Sequence, residues 1–181
     1  MINNALLAAS VCLLTLLPDH PALAQEQPDQ ETEIPLGQHY LVETYKDWQK
    51  ICIKTNDEGD PCHIYQLIKN ADGLPIGEIT MLKVSEPEGV SAAATILTPL
   101  GTLLTSRMLL TLDDGTTGDY PYSWCDKRGC YVRVAFTDDE VLSMKKGRTG
   151  TIKIETISAP GEQLTLPISF LGFTAAIGDL R

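Results

Sequence analysis

Cys125 and Cys130 bracket the polar segment Asp126-Lys127-Arg128-Gly129, and strand-like residues follow in Tyr131-Val132-Arg133-Val134-Ala135-Phe136. Asp, Lys, Arg and Gly suit a tight exposed turn, while the alternation after it has the period of two that a half-buried strand imposes. The chain therefore has to turn back on itself here as a β-hairpin. A second pair, Cys52 and Cys62, brackets Thr55-Asn56-Asp57-Glu58-Gly59-Asp60-Pro61, again rich in turn formers. Before it, Trp48-Gln49-Lys50-Ile51-Cys52-Ile53 alternates, and Cys62-His63-Ile64-Tyr65-Gln66-Leu67-Ile68 returns as another strand.

Whether these thiols oxidise depends on where the chain goes. Ala5 to Leu17 is an apolar run, followed by Pro18 and Ala22-Leu23-Ala24. This is the layout of a secretory signal peptide, residues 1–24, cleaved near Ala24, although its first residues carry no Lys or Arg. The run is too short to span a bilayer, which takes roughly 20 apolar residues, and no second run follows, so the mature chain is expected to have no transmembrane segment. Cys12 leaves with the signal. Export to the periplasm or beyond is oxidising, and the remaining four cysteines can pair in three ways. Local pairing, Cys52 with Cys62 and Cys125 with Cys130, is the expectation, because each pair lies within reach of its hairpin.

Residues 25–39 carry Glu26, Asp29, Glu31 and Glu33 with Pro28 and Pro35 and few apolar side chains, the composition of a disordered acidic leader. Residues 40–181 hold no further linker and read as a single domain. Ile76 to Val84, Val90 to Leu97, Arg107 to Leu112, Thr151 to Ile157 and Leu164 to Phe170 all have strand character. Three consecutive alanines, Ala92 to Ala94, imply close approach of a neighbouring element. Thr137-Asp138-Asp139-Glu140 is a capping box opening a short helix that Lys145, Lys146 and Gly147 close. The fold class is all-β, an antiparallel β-sandwich or flattened barrel of about eight or nine short strands with one short helix.

Little here points to catalysis. After the signal only His39 and His63 remain as imidazoles, and a Cys62–His63 dyad would place its members on opposite faces of a strand. The cysteine spacings do not match a zinc site, so neither a metal nor another cofactor is expected. Asp113, Asp114 and Asp119 lack the pattern of a calcium loop and read as a β-turn. Asp138, Asp139 and Glu140 are accounted for by the helix dipole. A formal net charge of −10 at pH 7 argues against nucleic acid as a partner. What remains is an aromatic-rich tip: Tyr120, Tyr122, Trp124, Arg128 and Tyr131 are the candidate contact surface, since Trp, Tyr and Arg are enriched where proteins bind one another. Two other classes stay open. One is an envelope hydrolase or carbohydrate-active enzyme on a β scaffold, using carboxylates such as Asp119 and Asp138; the other is a secreted adhesin.

Five segments in order, Asp47-Trp48 with Cys52, Cys62-His63-Ile64-Tyr65-Gln66, Thr98-Pro99-Leu100-Gly101 with Leu103-Leu104, Cys125 with Gly129-Cys130, and Pro167-Ile168-Ser169 with Leu171-Gly172-Phe173, resemble the invasion-associated locus B family. The resemblance covers about residues 45 to 177. It implies a small exported protein of a Gram-negative bacterium with a β-sandwich-like domain and an envelope location, and it carries over no catalytic residue. The four cysteines match the family's positions. The family takes its name from red-cell invasion by pathogenic members, so an envelope or host protein is the kind of partner implied. The acidic leader and the aromatic run Tyr120 to Trp124 depart from the family pattern.

Overall fold

A computed structural model describes residues 33–181. The expected signal peptide, 1–24, and most of the acidic leader lie outside the described residues. From Ile34 to Arg181 the chain forms one compact unit. Its elements in order are β1 His39–Tyr45, β2 Trp48–Ile53, β3 Cys62–Lys69, β4 Pro75–Lys83, β5 Val90–Thr98, β6 Met108–Leu112, β7 Thr117–Tyr120, β8 Tyr122–Cys125, β9 Cys130–Thr137, α1 Asp138–Lys146, β10 Thr149–Thr156, β11 Ala159–Ser169 and α2 Phe173–Gly178. They form a seven-stranded sheet, β1-β2-β3-β4-β5-β9-β8, and a four-stranded sheet, β11-β10-β6-β7, with antiparallel pairing throughout. The sandwich reading holds, and the sheets do not close into a barrel. Among the described residues there are eleven strands rather than eight or nine, and two helices rather than one.

Alternation dictates which side chains fill the space between the sheets. Ile64, Met81, Ala94 and Val134 stand opposite one another across β3, β4, β5 and β9, as do Gln66, Ile79, Ile96 and Val132. All eight are buried. From the smaller sheet Met108, Leu110, Leu112, Ile152, Ile154, Leu166 and Ile168 meet them in one core cluster. Each buried aliphatic side chain contributes about 1.5–3 kcal/mol relative to exposure. The alanines split between faces, and the end of β5 that bears them lies against α1. The capping box forms as the sequence predicts, with Glu140 N–H donating to Thr137 Oγ1 at 3.3 Å and Thr137 N–H donating to Glu140 Oε2 at 2.8 Å.

The stretch from Tyr120 to Cys125 breaks at Pro121, with β7 in the small sheet and β8 at the edge of the large one. Proline has no N–H to give a ladder, so the chain changes sheet there. The extra helix, α2, is a single short turn whose Phe173, Ala176 and Ile177 are buried at the spacing of a helical face.

The sheets are tied together at one point by side chains rather than by strand pairing. The carboxamide of Gln66, 4% exposed, accepts from Ser169 N–H and donates to Ser169 C=O, both at 2.9 Å. Trp48 Nε1 donates to the same carbonyl at 2.8 Å, and Ser169 Oγ donates to Asp47 at 2.5 Å. Trp48 packs against Phe173 at 5.3 Å between ring centres. Gly172 is obligatory: its φ is +88°, and a Cβ there would sit 1.8 Å from the Tyr45 carbonyl oxygen.

Candidate functional site

Both disulfides form as expected, Cys52–Cys62 and Cys125–Cys130, each with Cα atoms 4.0 Å apart. Each pair sits directly opposite across its strands, so each closes the base of a turn. At the second, Asp126 N–H donates to Gly129 C=O at 2.9 Å, and the Asp126 carboxylate accepts from Arg128 N–H at 2.7 Å and from Tyr131 OH at 3.1 Å. These bonds, the Arg128 amide foremost, hold the Asp126 pKa below the ordinary carboxylate range. Gly129 lies so close to β5 that a Cβ would be 2.1 Å from the Thr98 carbonyl oxygen. The tip is thereby seated on the end of β5.

The five candidate contact residues do not share one surface. Trp124, Arg128 and Tyr131 gather on the outer face of the large sheet, while Tyr120 and Tyr122 turn inward and pack against the core. Tyr120 OH donates to Glu140 of α1 at 3.4 Å. The Tyr122 hydroxyl is buried without a hydrogen-bond partner among the described residues, and burial pushes its pKa up to about 12. The split follows from β8 itself. Tyr122 stands opposite Val132, an inward residue, whereas a bulge after it puts Trp124 opposite outward-facing Tyr131.

On the outer face Trp124 lies flat over Tyr131, ring centres 4.6 Å apart and planes 12° from parallel. The Arg133 guanidinium is 5.0 Å from the Trp124 ring centre, a cation–π distance. Tyr131 is only 8% exposed beneath this stack, and Trp124 keeps 40% of its surface in solvent. Arg128 donates to Glu78 at 2.5 Å, and Tyr65 OH donates to the other oxygen of Glu78 at 3.1 Å. Glu78 in turn raises the Arg128 pKa. Register places Leu67, Glu78, Leu97, Tyr131 and Trp124 in one row across β3, β4, β5, β9 and β8. Beside it Leu67, Pro75, Leu97, Pro99, Leu100 and Arg128 line a groove of about 380 Å³. Arg133 and these leucines were not among the residues the sequence singled out. Arg133 was legible as the outward neighbour of Tyr131 two positions on, but the cross-strand leucines depend on register.

The carboxylates are engaged in the framework. Asp113 accepts from Arg148 N–H, Thr149 N–H and Thr149 Oγ1, which lowers its pKa. Asp119 pairs with Arg107, and Asp138 accepts from Ser91 Oγ. Among the described residues no group of three or more His, Cys, Asp or Glu side chains is placed to hold a metal ion, and no helix is long and apolar enough to cross a membrane.

The residues that carry the sequence resemblance have structural work. Asp47, Trp48, Gln66, Ser169, Gly172 and Phe173 make the tie between the sheets. Thr98 Oγ1 donates to Cys130 C=O at 3.0 Å, and Leu103 N–H donates to Glu155 C=O at 2.8 Å, so the Thr98–Leu103 connection joins β5, the stapled tip and β10. A solved structure described as invasion associated protein B from Bartonella henselae is similar in fold, with a TM-score of 0.64 and 20% identity over 75% of this chain and 91% of that one. No curated protein matches. The invasion associated locus B protein profile matches residues 48–181, all of β2 through α2. The chain belongs to the invasion associated locus B family.

Proposed function

We propose that this is an exported envelope protein that acts by binding rather than by catalysis, and that its contact surface is the stapled tip: Trp124, Arg128 and Arg133 with the groove beside them. Two disulfides and the family support export; the signal peptide and a periplasmic location are part of the proposal. The observation that carries the binding reading is Trp124, a large ring left 40% exposed while Tyr131 and Arg133 fix its orientation. A ring already held in place loses little conformational freedom on binding, and Trp and Arg dominate contact energies when a partner covers them. The partner proposed is an envelope or host protein.

Crosslinked capture from envelope extracts tests this, with wild type run beside Trp124→Ala and Leu164→Ala, the latter an exposed apolar residue of the small sheet. One partner crosslinked by wild type and Leu164→Ala but lost with folded Trp124→Ala supports the reading. An unchanged crosslink pattern in Trp124→Ala overturns it.

A further inference from the structure

At the opposite side of the large sheet from the tip, two imidazoles face one another. His39 on β1 stands opposite Ile53, and His63 on β3 stands opposite Ile51. Both side chains project from the outer face and lean over β2, so that the ring centres lie 6.0 Å apart with planes at 66°. We propose that His39 and His63 form a site for a divalent transition-metal ion of the copper or zinc class.

Geometry and donor chemistry both point this way. With metal–nitrogen bonds of about 2.0–2.1 Å, two imidazoles on one tetrahedral ion hold their ring centres roughly 5 Å apart. The observed separation exceeds that by an amount a small side-chain rotation closes. Imidazole nitrogen is the donor that copper and zinc accept most readily after thiolate. Here Cys52, Cys62, Cys125 and Cys130 are committed to disulfides, which leaves the imidazole pair as the best donor set among the described residues. Asp60, in the loop that leads into β3, already accepts from Thr55, Tyr40 and Lys54. His39 is exposed at the start of an edge strand, so an ion arrives from solvent with no barrier to cross. Two protein ligands leave the remaining coordination positions to water.

The test is calorimetric titration of the purified full chain with Cu²⁺, and separately with Zn²⁺, in a non-chelating buffer, together with electron paramagnetic resonance of the copper adduct. The expected result is saturable binding of one ion per chain, with nitrogen couplings from two imidazoles. Losing even an outer-shell partner costs a metal site roughly 10–100-fold in affinity, so His39→Ala and His63→Ala should each weaken binding by at least that range's lower end. The double variant should abolish it, with circular dichroism and the urea midpoint unchanged as proof of folding. Absence of saturable binding, retention of it in the folded double variant, or a copper spectrum without two imidazole nitrogens overturns the assignment.

Discussion

Ser169 presents its backbone N–H and C=O on the side of β11 away from β10, and the primary amide of Gln66 meets both as a neighbouring peptide group would. A buried amide doing this is worth more by its absence than by its presence, because removal strands polar groups out of reach of water. Gln66→Leu keeps the volume and is expected to cost about 1–3 kcal/mol for the unsatisfied Ser169 N–H, read as a shift in the urea midpoint at unchanged slope. Asp60 governs acid sensitivity at the first hairpin. Its carboxylate accepts from Thr55 N–H at 2.8 Å and Tyr40 OH at 2.7 Å, and these bonds lower its pKa from 3.8 to about 2. A depressed carboxyl favours the folded state above its unfolded pKa, and that contribution fades as pH falls through the folded one. Unfolding free energy should therefore decline between about pH 4 and pH 2, more steeply in wild type than in Asp60→Asn when followed by urea titration at each pH.

Among the elements, the hairpin of β8 and β9 shows most clearly what a covalent link adds. Closing so short a loop removes about 2 kcal/mol of unfolded-chain entropy by the loop-closure estimate. A Cys125→Ser, Cys130→Ser double variant should lose that order of stability, roughly 4–8 °C in melting temperature for a domain of this size, and its Trp124 fluorescence should shift to the red as the stack on Tyr131 loosens. How far the sequence reveals each element depends on length and on local punctuation. β3, β5 and β9 alternate over eight or nine residues, and α1 announces itself by its capping box, so all four were legible. α2 has no side-chain cap and spans six residues, too few for a helical period to stand out from a buried apolar tail. The division of β7 from β8 hung on reading Pro121 as a change of sheet, which a four-residue strand on either side is too short to signal.

Over the whole molecule, one face of the large sheet looks into the core and the other looks out, and the candidate site depends on which is which. The aromatic cluster was visible in the sequence, but its sorting into inward Tyr120 and Tyr122 and outward Trp124 was not. A sheet crossing at Pro121 and a bulge after Tyr122 intervene between those residues, and the bulge reverses the alternation that sequence reading relies on. The groove was hidden for a different reason, since Leu67, Leu97 and Leu100 come together only through strand register. The order of the strands has one more consequence. β1 and β8 are the two edges of a single sheet, six strand spacings apart, or about 29 Å at 4.8 Å each. The body of the protein is thus also a spacer: the histidine pair leans over β2 and Trp124 stands on β8, five strand spacings or about 24 Å along the sheet, so an ion at the histidine pair and a partner at the stapled tip can be held at once without touching.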